Sequence, residues 1–311
     1  MNTFKKLMVS VPVLKRIRKI YREARVLRRH RKVEKYWEGI IEQYFAGKLD
    51  KYDFHPKQNL SSEKIIWQYW GQGLENDGLP EVVKMCFKSV DKYKGDHLVI
   101  RLNDETITEY LDIPEFVWEK MKNPAFARVF FSDLLRLALL KTYGGVWLDA
   151  TILLTGPLPV KFTELDYFVY QRDDNVQNKS YWEDIAIYYW GWKPQFKVRM
   201  LSSIVFAKRG NVVISTLLDL MLYYWKTQNR IINYFFLQIL YNVLMEKWLV
   251  KEKCLVVSDT IPHMLQAKIE NPNDDFITYE DVCKKGSIHK MRHNYRDETL
   301  ERLKIFYQKN V

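Results

Sequence analysis

Tyr143-Gly144-Gly145-Val146-Trp147-Leu148-Asp149-Ala150-Thr151 is the stretch whose reading decides the fold. It follows an apolar helical run that begins with Phe131-Ser132-Asp133-Leu134-Leu135-Arg136. The paired glycines predict the end of that helix, because glycine takes a C-terminal cap conformation without steric cost. Val146-Trp147-Leu148 then reads as a buried strand, and Asp149 interrupts it with a charge. In open α/β sheets, ligands bind beyond the carboxyl ends of strands, where a carboxylate suits a diphosphate and its metal. Asp133 and Arg136 stand three apart on one helix face and can act on one polar ligand. Plainer readings stay open: an ordinary helix ion pair, a strand-ending turn and a simple cap.

Outward from this segment the pattern repeats. Lys64–Trp70 is a short β-branched and aromatic strand closed by Gly71 and Gly73. Pro80 opens a helix through Tyr93, with Val83, Phe87 and Val90 on one face. Leu98-Val99-Ile100 is a second strand, and a further helical stretch begins at Asp104. Strand and helix alternating at this spacing predict an α/β domain with a mixed, mainly parallel sheet. Downstream, Asp166–Asp174 reads as a strand entering a loop, and Asn211–Trp225 and Asn233–Trp248 as long apolar helices. His263 follows Pro262 in a loop and reads as structural. The expected division is 1–60, 61–160 and 161–311.

The 311 residues carry a net charge of +11, but the excess is local. Residues 1–35 hold 13 Lys/Arg against Glu23 and Glu34, and the rest of the chain is balanced. A body without cationic excess argues against nucleic acid as a partner. Three scattered cysteines without a CxxC pair argue against a disulfide framework and favour a reducing compartment. No run of about 20 apolar residues occurs, as a spanning helix requires. Leu7–Leu14 resembles a short signal-peptide core with no cleavage site after it, so neither export nor spanning is expected. After Pro12, Val13, Ile17, Ile20, Ala24 and Leu27 share one helix face, with cations on the others. Such a basic amphipathic helix, residues 13–32, suits an anionic membrane surface; packing on the protein's own body or a partner helix is the other reading. A second helix is expected from Val33 to Phe45.

Together these segments resemble the family 32 glycosyltransferases, most closely their capsular polysaccharide synthesis branch. The resemblance rests on Lys64–Gln68 with Trp70, on Phe131–Arg136 and on Tyr143–Thr151. It continues more loosely through Trp190-Gly191-Trp192, Ser202–Ala207, Tyr234-Phe235, Pro262-His263 and Ile288-His289-Lys290. It covers about residues 60–292 and leaves out the basic arm.

The resemblance implies a GT-A fold whose DxD-type motif holds a nucleotide sugar through Mn²⁺ or Mg²⁺. Trp70 would stack on the base, with Gln68 and Gly71 beside it. Asp133 and Arg136 would contact ribose and donor sugar, and Asp149 would be the first carboxylate of the motif. Asp149, Asp133 and Arg136 would thus be the catalytic set, Asp149, Thr151 and His289 the metal ligands, and Lys290 a further contact to the donor. Here the second carboxylate is replaced by Thr151, so metal should be held more weakly, or Arg136, Lys290 and Arg292 would neutralise the diphosphate alone. Asn233 and Gln238 depart from the Asp and His of many relatives. The aromatic run Tyr181–Trp192 would stack on acceptor sugars or fill the core. The implied reaction is transfer of a hexose, UDP-galactose or UDP-glucose being the first candidates. It would run with retention to a lipid-linked capsular intermediate, at the cytoplasmic face of a bacterial plasma membrane. The alternative is a catalytically inactive membrane interaction protein on the same scaffold.

Overall fold

The computed structural model describes residues 12–75 and 78–311. Residues 7–11 of the Leu7–Leu14 stretch lie outside the described residues. The first element is α1 (Pro12–Phe45), a single 34-residue helix where two were expected. Lys and Arg around residues 28–35 are good helix formers and nothing breaks the chain there. Its two ends do different work. Val26, Val33, Trp37, Ile41 and Tyr44 fall on one face and belong to the main core. Of the expected stripe, Ile17 is 56% exposed and Ile20 57%, with Tyr21 beside them at 69%, whereas Leu27 packs against the main core. Lys19 and Glu23 hold the first half to the body through Asp184 at 2.6 Å and Lys193 at 2.8 Å. Packing and exposure therefore occupy opposite sides of one helix. The outer side carries Ile17 and Ile20 of the amphipathic pattern.

The central sheet comprises β1 (Ile65–Tyr69), β2 (Leu98–Leu102), β3 (Gly145–Leu148), β5 (Tyr167–Gln171) and β6 (Met200–Ala207). Its order is β2-β1-β3-β6-β5. β1 pairs in parallel with β2 and β3, whereas β6 is antiparallel to both β3 and β5. Four strands thus point one way and β6 alone opposes them. A helix α2 (Glu81–Tyr93) links β1 to β2, and α3 (Glu115–Met121) and α4 (Arg128–Tyr143) precede β3. The helix expected from Asp104 is only a 3₁₀ turn, Ile107–Glu109. Asn103 and Thr106 bond to each other's backbone there and favour a turn over a helix.

Gly144 and Gly145 do more than end α4. Their φ values are +74° and +100°. A Cβ at Gly145 would lie 2.5 Å from the carbonyl oxygen of Ile65, and one at Gly144 2.7 Å from the amide of Arg209. Only glycine lets β3 enter the sheet this close to β1. The register that follows sets Trp67 beside Trp147.

A second, two-stranded sheet joins β4 (Ile152–Leu154) to β7 (Ile288–Lys290), antiparallel, with Ile152 opposite Lys290 and Leu153 opposite His289. The turn Asp149–Thr151 is therefore a splice between the two sheets. The remaining helices are α5 (Val160–Thr163), α6 (Lys179–Ile185), α7 (Val212–Thr227), α8 (Phe236–Lys247), α9 (Thr260–Glu270), α10 (Tyr279–Lys285) and α11 (Asp297–Asn310). α7 and α8 are apolar and sit in the core with α1. His263 lies within α9 and not in a loop, because Pro262 is tolerated in the first turn of a helix.

Candidate active site

α4, β3 and β7 converge at the carboxyl edge of the parallel strands. Arg136, 3% exposed, stands at the centre. One of its terminal nitrogens donates to the Ser202 carbonyl at 2.7 Å and lies 3.0 Å from Asp133 Oδ1. The other donates to Ser132 Oγ at 3.2 Å and to Asp149 Oδ1 at 3.4 Å. The guanidinium carbon is 5.2 Å from the Trp147 ring, and Nε has no partner. Trp147 Nε1 donates to Asp149 Oδ1 at 2.8 Å.

Lys290 completes the group from β7. Its ammonium is 3.5 Å from Asp149 Oδ2 and donates to Thr151 Oγ1. Backbone bonds fix the turn: Asp149 N donates to the Ser203 carbonyl and Met291 N to the Thr151 carbonyl, each at 2.9 Å. Asp149 thus faces two cations on opposite sides while 23% of its side chain stays open.

The two carboxylates are driven apart electrostatically. Burial pushes the Asp133 carboxyl up to about 6, against the pull of Arg136 and with the help of the Asp149 charge. Burial also works to raise Asp149, but Arg136, Lys290 and the Trp147 hydrogen bond outweigh it and hold that carboxyl below its ordinary value. Asp149 is a fixed anion; Asp133 is a group that can take a proton near neutrality.

The other expected site residues divide. Trp70 packs beside Ala150, the middle residue of the turn, with its ring 6.2 Å from His293 and its buried indole N–H unpartnered. It lies where a planar ligand could reach both it and the turn. Gln68 is wholly buried within β1, and its Oε1 accepts from Arg101 Nε at 3.1 Å. Gln68 Nε2 is buried without a partner, as the Trp70 indole N–H is. Gly71 leaves room for the Tyr69–Asp104–Arg128 cluster: a Cβ there would meet Asp104 Oδ1 at 2.7 Å.

His289 is not brought to the carboxylate. Successive strand residues point to opposite faces, so β7 sends Lys290 toward Asp149 and His289 away. His289 is 1% exposed, bonds Thr155 Oγ1 through Nε2 at 3.0 Å, and burial lowers its pKa to about 4. It is not a ligand beside Asp149, and its Nδ1 is buried without a partner.

The donor set fits a divalent ion poorly. It offers one carboxylate whose oxygens already face Trp147, Arg136 and Lys290, and one hydroxyl that accepts from Lys290. Among the described residues no cluster of three His, Cys, Asp or Glu side chains could hold a metal. Hard cations favour several charged oxygens. What the site offers is positive charge beside a cavity, which suits an anion.

That cavity, about 410 Å³, runs from Thr151 and Lys290 past Tyr189 and Trp190 to His263 and Glu270. The aromatic run lining it is mostly packed away, with Trp182 and Trp190 each 3% exposed. Trp190 and Trp192 are stacked at 6.2 Å, and the Arg172 guanidinium carbon lies 4.5 and 5.0 Å from their rings. Tyr188, 47% exposed, is the ring left open.

Some participants have no role assigned by the sequence, although Ser202–Ala207 belongs to the looser part of the resemblance. Ser202 supplies the carbonyl under Arg136, and its hydroxyl accepts from Gln238 Nε2 at 2.9 Å. The departure at Gln238 therefore lies one contact from the site. Asn233 accepts from Phe235 N at 2.8 Å and shapes the entry to α8. Only the pairing of β6 with β3 makes Ser202 and Ser203 neighbours of Asp149.

The capsular polysaccharide synthesis protein family matches residues 16–310. The chain belongs to that family. The match takes in the whole site and nearly all of α1, which the resemblance to residues 60–292 had left out. The chain is also 27% identical over 180 residues to the O-glycosyltransferase braB of Annulohypoxylon truncatum. That alignment takes 55% of the present chain and spans 39% of the relative's length. Among solved structures, PaToxG glycosyltransferase overlays 94% of the chain and 96% of its own at 13% identity, with a TM-score of 0.33, too loose to argue from.

Proposed function

We propose that this chain is a glycosyltransferase. It moves a hexose from a nucleoside diphosphate donor to a lipid-linked saccharide acceptor of surface polysaccharide assembly. The observation that carries this reading is Asp149 at the end of β3, bracketed by Arg136 and Lys290 beside an open cavity. The family match and the fragmentary likeness to an O-glycosyltransferase support it. The α/β half would serve as a GT-A-like nucleotide-binding unit, with the base on Trp70.

In glycosyl transfer, negative charge accumulates on the departing diphosphate, and preorganised cations there are the largest source of acceleration. Arg136 and Lys290 fill that role, and Asp149 fixes both. Ser202 and Ser132 hold the guanidinium in place from beneath. Asp133, half-titrated near pH 6, would take up a proton as the diphosphate arrives, since a second anion raises its pKa further. No side chain is placed as a covalent nucleophile in this reading. The leaving phosphate would accept the acceptor's proton on the same face, which gives retention.

The test is release of nucleotide from a panel of UDP-, GDP- and CMP-sugars, with Mn²⁺ and with chelator. Hydrolysis of one donor, UDP-galactose or UDP-glucose first, is the expected result. In Asp149→Asn it should fall by about a hundredfold or more, the scale of losing a preorganised electrostatic group. Wild-type turnover in that variant would refute the site. No nucleotide-sugar binding at all would favour the non-catalytic reading.

The outer stripe of α1 is proposed to hold the protein on an anionic membrane, with Ile17, Ile20 and Tyr21 at the interface and Arg16, Arg18, Arg22, Arg25 and Arg28 on the headgroups. This placement would be peripheral, since no helix among the described residues is long and apolar enough to span a bilayer. Deleting residues 1–35 would strip Val26 and Val33 from the core, so point changes are the cleaner test. Ile17→Asp with Ile20→Asp should release the protein from anionic liposomes and leave its melting temperature unchanged.

A further inference from the structure

A second cavity, about 540 Å³, lies between α1 and the loop before α8. Val26 and Arg29 form one wall, and Tyr188, Ile231, Ile232 and Phe235 the other. No Asp or Glu lines it. The two acids on this side of α1 are engaged elsewhere, Glu23 with Lys193 at 2.8 Å and Glu34 with Lys197 at 3.0 Å. Arg29 makes no ion pair among the described residues. His30, also in the lining, is buried and accepts from the Lys197 amide at 3.2 Å, so it adds no charge. The cavity therefore presents one cation, Arg29, with Asn233 and Tyr234 as neutral polar neighbours and an apolar wall of Val26, Ile231, Ile232 and Phe235.

Its two ends matter. At one, Tyr234, 58% exposed, packs 6.1 Å from Phe130 on α4, three residues before Asp133. At the other, α1 runs on to the exposed Ile17, Ile20 and Tyr21. A ligand lying in this cavity would reach from the lipid-facing helix to the edge of the active site. Apolar lining matches a hydrocarbon chain, one free guanidinium matches a phosphate, and the absence of carboxylates in the lining removes repulsion.

We propose that this cavity holds the phosphate-bearing end of a single-chain lipid that carries the acceptor sugar. Arg29 takes the phosphate, and Ile231, Ile232 and Phe235 take the first part of the chain. The proposal rests on the reading of a lipid-linked acceptor and locates that acceptor's anchor.

The experiment compares binding of farnesyl monophosphate, farnesol and inorganic phosphate to the full chain by calorimetry. Farnesyl monophosphate should bind at least about tenfold more tightly than either half alone. Arg29→Gln should bring it to the farnesol level, and Ile232→Asp, at an exposed loop position, should weaken it about tenfold. Unchanged affinity in both variants, or no preference over inorganic phosphate, would overturn the proposal. So would parallel loss of binding in the Ile17→Asp, Ile20→Asp protein, which would place the ligand on the outer stripe. Nucleotide-sugar hydrolysis by the wild type is scored separately. Selective farnesyl phosphate binding without hydrolysis would break the transferase reading and support the lipid site. Hydrolysis without selective binding would break the lipid site alone.

Discussion

Arg136 and Arg172 sit at the same edge of the same sheet, and both are buried, yet their surroundings differ in kind. Arg172 donates to both oxygens of Asp259, at 3.0 and 2.9 Å, and to the carbonyls of Gly191 and Tyr189. Its side chain and that of Asp259 are fully shielded from solvent. Arg136 has a buried, unpartnered Nε and a long 3.4 Å bond to Asp149, whose other cation, Lys290, lines the cavity. A buried arginine with its donors engaged has nothing left to offer a ligand. One left short of partners is held ready for a group that arrives later. Both side chains lie against aromatic faces, so the difference lies in what remains unsatisfied.

The contrast can be broken most sharply at Asp259. Asp259→Ala leaves Arg172 as an uncompensated buried charge and should cost about 3–5 kcal/mol in denaturant unfolding. It should also loosen the Trp190–Trp192 segment. Asp149→Asn should cost little stability, because Lys290 and Arg136 keep other partners, while turnover collapses. If the two variants lose stability equally, the distinction between a saturated and a poised arginine fails.

A finer test uses protons. Asp133 is raised in the folded state, so its contribution to stability is complete below its ordinary value of 3.8 and is lost as pH rises through about 6. Asp149 is lowered and behaves oppositely, its contribution fading as pH falls. Binding of the nucleotide sugar, whose diphosphate diester keeps its charge near pH ~6.5, should be accompanied by proton uptake at Asp133, read by calorimetry in buffers of different ionisation enthalpy. Asp133→Asn should abolish that uptake. The smallest effect on turnover is expected at Trp147→Phe, which removes the donor to Asp149 and leaves a small void where the larger indole stood. It should move the acid limb of donor binding upward, because Asp149 loses a hydrogen bond that favours its charged form.

Much of this arrangement was legible in one line of sequence. Gly144-Gly145, the strand Val146–Leu148 and the charge at Asp149 place a carboxylate at a strand end, and the structure has it there. The outward stripe of α1 was legible too, because helical period alone separates Ile17 and Ile20 from Val26 and Val33. His289 was misjudged because the direction of a strand residue depends on its partner strand, and nothing in the sequence pairs β7 with β4. Arg172 and Asp259 lie 87 residues apart and meet only through the tertiary fold. The aromatic run was correctly seen as dense, but periodicity does not tell a stacking platform from a ring already occupied by an arginine.

The splice at Asp149–Thr151 also bears on the order in which the protein folds. The α4–β3 unit is local, and Asp149 meets Arg136 across only 13 residues. Lys290 must come back across 139 residues to reach Thr151. Loop closure over such a span is slow relative to local contacts. The carboxylate therefore acquires its first cation early and its second late, so that the site is anionic or balanced until the final long-range contact is made.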